Sequence, residues 1–270
     1  MGRIYTLVNQ KGGVGKTTTA INLGAYLAQK NQRVLLIDLD PQANATSCLG
    51  IDRRNVPGGT YDVLLNTTSP LKFILHNPRL KLSILPSSPA LAGAEVELVP
   101  EIARESRLLQ SLKLVIERYD YILIDCPPSL GLLTLNGLVA AKDGLLIPVQ
   151  CEYLALEGIS LLIQTIDRVR SAIFSSLKIR GVILTMFDAR TKLSSDVVAE
   201  VQRFFPTLVF DSIIPRSVRL AEAPSYGQPI SIYAPQSSGA TAYDVLANEI
   251  LIGDGVEIQF PMNSMKIING

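Results

Sequence analysis

Short, uninterrupted runs of apolar and β-branched residues recur along the chain and alternate with longer segments of helical periodicity. Such runs are typical of strands covered on both faces, and the alternation predicts right-handed crossovers. The sequence therefore predicts an α/β fold with a doubly wound, mostly parallel sheet and helices on both faces. The predicted strands span residues 4–9, 34–40, 121–125, 144–149, 181–186 and 209–215. The predicted helices span residues 17–30, 90–119 with a break near Pro100, 154–174, 194–205 and 239–252.

The region between residues 66 and 88 departs from this alternation. It holds Pro70, Pro78 and Pro86 between short apolar runs, and we expect an irregular excursion or a hairpin there. No internal repeat, low-complexity tract or linker divides the sequence. A length of 270 residues suits one large domain or two small ones. We therefore predict a single domain over residues 1–252 and a C-terminal tail over residues 253–270.

Composition excludes several classes of protein. Hydrophobic residues make up 47% of the chain and charged residues 18%, which excludes a disordered, collagenous or coiled-coil protein. The net charge of +1 identifies no partner, so any nucleic-acid binding must come from local clustering of charge. The three cysteines are widely spaced and form no CxxC pair, which indicates neither a disulfide framework nor a zinc site.

Membrane insertion is not expected. The N-terminus lacks the basic and then apolar pattern of a secretory leader. The longest stretch without a charged side chain, residues 126–141, is shorter than the roughly 20 apolar residues that a transmembrane helix needs. We therefore expect a cytoplasmic protein.

The most informative motif, QKGGVGKTT, covers residues 10–18 between the first predicted strand and the first predicted helix. In a phosphate-binding loop, glycines let backbone N–H groups surround a phosphate, a lysine neutralises the β and γ oxygens, and a hydroxyl reaches Mg²⁺. Lys16 and Thr17 supply the last two groups, while Gln10 stands where the strict pattern has its first glycine. Lys11 adds a second ammonium group. The alternative is a glycine-rich turn that binds nothing, which the flanking strand and helix disfavour.

Three carboxylates end predicted strands. Asp38 and Asp40 close the second strand, and Asp125 closes the run that begins at Tyr121. Because ligands bind beyond the carboxyl ends of parallel strands, these acids are expected near the phosphate loop, where they can hold Mg²⁺ and position water. For each Asp alone, an Asx turn or a helix cap is a fair alternative. Three polar residues follow Asp40 and either sense the γ-phosphate or cap a helix: Gln42, Asn44 and Thr46.

The motif KGGVGKTT resembles the deviant Walker A box of the ParA/MinD family of P-loop ATPases. The segments DLDPQANAT and PRSVRLAEAPS resemble its ParA/Soj branch, and the similarity extends from Arg3 to about Leu251. The resemblance implies ATP and Mg²⁺ as cofactors and a homodimer that encloses two ATP molecules. It also implies slow hydrolysis of ATP to ADP and phosphate.

The resemblance assigns a role to individual residues. Lys11 would contact the nucleotide of the other subunit, Lys16 would contact its own nucleotide, and Asp40 would activate or orient water; these three are the catalytic candidates. Thr17, Asp125 and Asp38 would lie around Mg²⁺, with Asp38 as either a structural residue or part of the metal's surroundings. The implied nucleotide-binding residues are Lys11, Gly12, Gly13, Val14, Gly15, Lys16, Thr17, Thr18, Pro215 and Ser217.

Two loops after predicted strands are candidates for adenine binding. The resemblance places the Pro215 backbone against adenine, but Ser217 replaces the asparagine common in the family, which puts a side-chain contact there in doubt. Met186 and Asp188 either line the same pocket or belong to an ordinary strand-exit turn.

Positive charge is concentrated between Arg168 and Arg219, where nine basic residues accompany four acidic ones. Such a segment suggests sequence-independent binding of double-stranded DNA through its phosphates. A solvated charged surface is the alternative. The resemblance singles out Arg190 and Arg219 as DNA-binding residues.

The leading functional hypothesis is a chromosome- or plasmid-partitioning ATPase of the nucleoid. Its ATP-bound dimer would bind DNA nonspecifically and would be released when a ParB-type partner stimulates hydrolysis. A MinD-like ATPase that cycles on membranes would need a basic amphipathic C-terminal helix. Residues 250–270 contain one cation, Lys266, which disfavours that alternative. A biosynthetic P-loop enzyme would need a second substrate pocket, for which no residues stand out.

Overall fold

A seven-stranded sheet organises the computed structural model, which describes residues 2–66, 68–153 and 155–257. The strands are β1 (Arg3–Leu7), β2 (Val34–Asp38), β3 (Leu75–Asn77), β4 (Leu82–Leu85), β5 (Tyr121–Asp125), β6 (Gly144–Gln150) and β7 (Ile179–Thr185). Their order across the sheet is β3-β4-β2-β5-β1-β6-β7, and only β3 and β4 pair antiparallel. This confirms the predicted α/β class with a mostly parallel sheet. The hairpin of β3 and β4 accounts for the irregular region after residue 66.

Helices cover both faces of the sheet. On one face, Leu36 and Leu123 pack against helices that contribute Leu23 and Leu246. On the other face, alternate residues of the same strands, such as Ile37, contact a second set of helices. The helices are α1 (Lys16–Gln29), α2 (Asn44–Cys48), α3 (Thr60–Asn66), α4 (Leu91–Glu97), α5 (Arg107–Leu112), α6 (Leu132–Ala140), α7 (Ala155–Ala172), α8 (Lys192–Phe204), α9 (Val218–Glu222), α10 (Ile230–Tyr233) and α11 (Ser238–Gly253).

None of the helices in the described ranges is long and apolar enough to cross a bilayer.

The predicted strand at residues 209–215 is wrong. Only Val209 and Pro215 form isolated parallel bridges, to Val182 and Phe187. Between them, the backbone N–H groups of residues 211 and 212 donate to the Glu249 carboxylate at 2.8 and 2.9 Å. Because α11 supplies that acceptor, these N–H groups do not pair with β7 and the ladder is interrupted.

Two helix predictions also need correction. The predicted helix over residues 90–119 is divided into α4, α5 and two short 3-10 turns, Arg104–Ser106 and Ile116–Arg118. Helix α6 is absent from the predicted helices and lies within the uncharged stretch of residues 126–141. Gly137 is required there, because a Cβ at this position would lie 2.5 Å from the Cys126 sulfur.

A buried charge cluster lies at the amino ends of the strands. The Asp254 carboxylate is 2% exposed and accepts hydrogen bonds from the Tyr5 hydroxyl at 2.8 Å and the Tyr121 hydroxyl at 3.0 Å. It also forms salt bridges with Arg3 and Arg180 at 3.6 and 3.2 Å. The first residues of the predicted tail therefore pack on the sheet, whereas residues 258–270 lie outside the described residues.

Candidate nucleotide-binding site

The loop between β1 and α1 has the backbone conformation of a phosphate cradle. Gly13 and Gly15 adopt φ values of +74° and +88°, in the left-handed region that favours glycine. Gly15 is the N-cap of α1 and no side chain caps the helix. The Val14 carbonyl accepts a hydrogen bond from the Thr185 hydroxyl at 2.9 Å, which holds the loop against β7. The first N–H groups of α1 are thus available to an anion, whose charge the helix dipole favours.

Lys16 is buried at the start of α1, with 7% of its surface exposed. Its ammonium group donates to the Lys11 carbonyl at 3.2 Å, across the loop. Burial lowers the pKa of Lys16, and the negative charges of Asp125 and Asp40 act in the opposite direction. The ammonium group has therefore lost part of its hydration in the cavity, and the negative charge of an anionic ligand would compensate for that loss.

Lys11 is only partly buried and its backbone N–H donates to Asn9 Oδ1 at 3.0 Å. The loop thus fixes the Lys11 backbone on both sides, through its N–H and its carbonyl. The contact of its side chain with a second subunit stays a prediction.

The sheet register brings the carboxylates together. Asp125 pairs with Leu7 on one side and with Asp38 on the other, so three strands end at one level beside the loop. Asp125 is fully buried, its carboxylate oxygens form no hydrogen bond of good geometry among the described residues, and the Thr17 side chain is close enough to lower its pKa. Burial, followed by the charge of Asp38, raises the pKa of Asp125 to about 8. A buried carboxylate without a partner is a suitable group to face Mg²⁺ or one of its coordinated waters.

Asp38 has a different environment although it neighbours Asp125. Its Oδ2 accepts hydrogen bonds from the Thr46 N–H at 2.8 Å and the Thr46 hydroxyl at 2.7 Å. Its Oδ1 accepts from the Asp40 N–H at 3.2 Å. Burial raises the pKa of Asp38 to about 6, although these hydrogen bonds act to lower it. Such contacts favour a structural role for Asp38 over a role in the surroundings of the metal. They also explain why Thr46 lies in the core instead of reaching a phosphate.

Asp40 lines a cavity of about 290 Å³ together with Lys16 and Thr17. Its carboxylate accepts a hydrogen bond from the Gln42 N–H at 2.8 Å. Gln42 and Asn44 line the same cavity, which is consistent with their sensing a bound γ-phosphate. The phosphate-loop residues and Asp40 therefore surround one space, as the sequence predicts.

A second cavity, also of about 290 Å³, adjoins the first and shares Gly15, Thr18 and Met186 with it. Pro215 and Ser217 line this cavity, and so does Met186. Its mostly apolar wall suits a purine ring placed next to the phosphate loop. The remaining lining residues are Thr185, Ile214, Arg216, Leu220, Ala221 and Tyr243.

Tyr243 of α11 could not be recognised from the sequence as a pocket residue. It is buried, and its hydroxyl lies 3.1 Å from the Thr19 hydroxyl of α1. No motif connects these positions, which are brought together only when α11 packs on α1.

The two candidate DNA-binding arginines lie on the surface near the carboxyl edge of the sheet. Arg190 forms a salt bridge with Asp188 at 2.6 Å, and Arg219 forms one with Glu222 at 3.0 Å. The positive segment is divided, however, because Arg180 pairs with Asp254 at the opposite edge. Only part of the positive charge between residues 168 and 219 thus lies near the nucleotide cavities.

Comparison with known proteins identifies the family. Residues 2–179 match the family model described as an AAA domain. The chain is 52% identical over 250 residues to the sporulation initiation inhibitor protein Soj of Bacillus subtilis, covering 93% of this chain and 98% of Soj. It is also 52% identical over 255 residues to the chromosome partitioning protein ParA of Myxococcus xanthus, covering 94% and 89% of the two chains. The chain belongs to the Soj/ParA family of partitioning ATPases.

Solved structures support the same fold for this Soj/ParA-family protein. Cobyrinic acid a,c-diamide synthase of Mycobacterium smegmatis, with a bound ATP analogue and magnesium, has a TM-score of 0.83 and 36% identity, covering 97% of this chain and 100% of that one. The cell division ATPase MinD of Pyrococcus furiosus has a TM-score of 0.76 and 25% identity, covering 93% and 98%. A plasmid partition protein of Borrelia burgdorferi bound to AMPPNP has a TM-score of 0.74 and 26% identity, covering 94% and 100%.

Proposed function

We propose that this protein binds ATP with Mg²⁺ and dimerises around the nucleotide. The ATP-bound dimer binds duplex DNA without sequence preference, and slow hydrolysis of ATP releases the DNA. One observation carries the proposal: the uncapped start of α1, Lys16 and Asp40 line a cavity that adjoins an apolar cavity of purine size. The bound ATP analogue and magnesium of the synthase structure support the choice of ligand.

Each residue of the site has a separate proposed role in nucleotide binding or hydrolysis. The N–H groups of the phosphate loop and the ammonium of Lys16 would bind the β- and γ-phosphates, while the cavity beside Pro215 would hold adenine. Thr17 and Asp125 would hold Mg²⁺ directly or through water, and the metal would supply positive charge against the phosphate oxygens. Asp40 would orient the attacking water. Because a single carboxylate positions that water, turnover should be slow without a stimulating partner.

The family relationship supports a proposed assembly and location. Lys11 would contact the phosphates of the nucleotide in the second subunit, which reduces the repulsion between two triphosphates placed face to face. The dimer would present Arg190 and Arg219 from both subunits to DNA, and a ParB-type protein would stimulate release. A cytoplasmic, nucleoid-associated protein with its ATPase domain over residues 1–252 is consistent with this cycle.

The named relatives favour partitioning over a membrane-cycling function. The two Soj and ParA relatives are 52% identical to the chain, whereas MinD of Pyrococcus furiosus is 25% identical. The prediction about a C-terminal amphipathic helix concerns residues that mostly lie outside the described ranges. The partitioning function is therefore preferred on sequence similarity.

The test is the mobility of plain duplex DNA with the protein and ATP, ADP or no nucleotide, at several salt concentrations. We expect a shift with ATP that weakens steeply as salt rises, since released counterions drive the binding. Arg190→Glu and Arg219→Glu should each weaken binding by about tenfold or more while ATP affinity is unchanged. Arg79→Glu is the matched control, because Arg79 is exposed in the β3–β4 turn at the opposite edge of the sheet. Equal DNA affinity with ATP and ADP would refute the proposed cycle, and equal binding by the reversal variants and Arg79→Glu would refute this DNA surface.

A further inference from the structure

A serine outside every sequence motif contacts the backbone of the proposed water-orienting residue. Ser87 follows β4, the neighbour of β2 in the sheet, and is 1% exposed. Its hydroxyl donates to the Asp40 carbonyl oxygen at 2.8 Å. The ends of two adjacent strands are thus joined by a buried hydrogen bond at the wall of the phosphate cavity.

A chain of hydrogen bonds connects the same serine to Asp38. The Ser87 N–H donates to the Thr46 hydroxyl oxygen at 2.9 Å, and that hydroxyl donates to Asp38 Oδ2 at 2.7 Å. Thr46 and Asp38 are both fully buried. Every donor in this chain has an acceptor, so the network has one favoured arrangement and resists rearrangement.

The network fixes the Asp40 peptide at both ends. The N–H of Asp40 donates to Asp38 Oδ1 at 3.2 Å, and its carbonyl accepts from Ser87. The Gln42 N–H then holds one oxygen of the Asp40 carboxylate at 2.8 Å. The Asp40 carbonyl also accepts a hydrogen bond from the Ala43 N–H at 2.8 Å. The direction in which the carboxylate enters the phosphate cavity is consequently set by the Gln42 N–H, which lines the cavity, and by Asp38, Ala43 and Ser87, which do not.

We propose that Ser87 is a positioning residue for ATP hydrolysis, which holds the Asp40 carboxylate in place through its hydroxyl and through Thr46. This inference rests on the proposed role of Asp40. A carboxylate that orients water must be held within a few tenths of an ångström, since a displacement of about 1 Å can cost about 100-fold in rate. Neither Ser87 nor Thr46 lines the phosphate cavity, so their loss should leave nucleotide binding largely intact.

The experiment compares Ser87→Ala with Ser83→Ala under saturating Mg²⁺-ATP. Ser83 is the matched control, because it is a 7%-exposed serine of β4 whose hydroxyl lies 3.2 Å from His76 Nδ1, away from the site. We expect Ser87→Ala to lower kcat by about tenfold or more with KM and ATP affinity within about twofold of wild type. Ser83→Ala should keep the wild-type kcat. Thr46→Val should resemble Ser87→Ala, and Thr46→Ser, which retains the hydroxyl, should restore turnover.

A second comparison separates positioning from loss of structure. If Ser87 acts through Asp40, adding Ser87→Ala to Asp40→Ala should produce no further loss of turnover. The inference is overturned if Ser87→Ala turns over ATP like Ser83→Ala, or if kcat and ATP affinity fall together. Wild-type turnover by Asp40→Ala alone would instead overturn the proposed role of Asp40, so the two failures are distinguishable.

Discussion

Replacing Lys16 by methionine tests whether the phosphate loop binds a triphosphate. The variant Lys16→Met keeps an unbranched apolar side chain of similar volume and removes the ammonium group. In the free protein Lys16 is 7% exposed, and burial lowers the pKa of its ammonium group. The charge of Lys16 therefore stabilises a bound anion, whereas in the free protein its burial is unfavourable.

The expected loss of affinity follows from the hydrogen bonds at stake. A hydrogen bond to a charged group contributes about 1.5–3 kcal/mol, so two bonds from Lys16 to phosphate oxygens contribute about 3–6 kcal/mol. At about 1.4 kcal/mol for each factor of ten, ATP should bind about 100-fold to 10,000-fold more weakly.

The stability of the free protein should change little. Asp125 loses a nearby cation, which raises the pKa of its carboxyl further and favours the protonated, uncharged form that is the less costly one to bury. Methionine has a similar volume and removes an ammonium group whose burial is unfavourable in the free protein, so we expect a cost below the roughly 1.5 kcal/mol of a volume-conserving swap between apolar residues. The free energy of unfolding should therefore stay within that range of wild type.

Isothermal titration calorimetry and thermal unfolding measure the two quantities. Lys30→Met is the matched control, because Lys30 follows α1 at its other end and pairs with Asp244 at 2.6 Å. It should keep wild-type ATP affinity. An affinity of Lys16→Met within about threefold of wild type, well under the tenfold that about 1.4 kcal/mol represents, would refute the assignment of the loop.

Two further predictions concern stability. Asp254→Ala leaves two hydroxyls and two guanidinium groups without their buried acceptor and should cost about 3–5 kcal/mol, measured by urea unfolding. Asp120→Ala, which breaks a more exposed pair with Arg33, should cost less than about 1 kcal/mol; equal costs would contradict the burial argument. Gly137→Ala should destabilise by about 1–3 kcal/mol, because its Cβ would lie 2.5 Å from a sulfur. Gly24→Ala in α1, whose Cβ meets its nearest atoms at 3.5 Å, should instead stabilise by up to about 1 kcal/mol, and a reversed order would contradict the packing.

The sequence predicts the centre of the site well because local chemistry determines it. Glycines, Lys16 and Thr17 follow a buried strand directly, and that order alone predicts the phosphate loop. Asp40 and Asp125 could be placed beside it because parallel strands end at a common edge. The same reasoning predicts the central strands β1, β2 and β5, whose apolar runs are continuous.

The remainder depends on contacts between distant segments. Residues 209–215 have the composition of a strand, but Glu249 of α11 takes up two of their N–H groups. Ser87 and Thr46 resemble ordinary polar residues until the pairing of β4 with β2 brings them together. Tyr243 reaches the purine-sized cavity only through the packing of α11 on α1. Such long-range hydrogen bonds leave no periodic or motif signal in the sequence.

ATP-dependent dimerisation through Lys11 is tested most directly by sedimentation velocity with Mg²⁺ and a non-hydrolysable ATP analogue. The chain has a mass of 29.3 kDa, so a dimer is readily separated from a monomer. We predict that the wild type and a control variant, Lys72→Ala, sediment as dimers only with the analogue, whereas Lys11→Ala binds the analogue and stays monomeric. A wild-type protein that remains monomeric when saturated with the analogue, or a Lys11→Ala variant that dimerises equally well, would contradict the proposed mechanism.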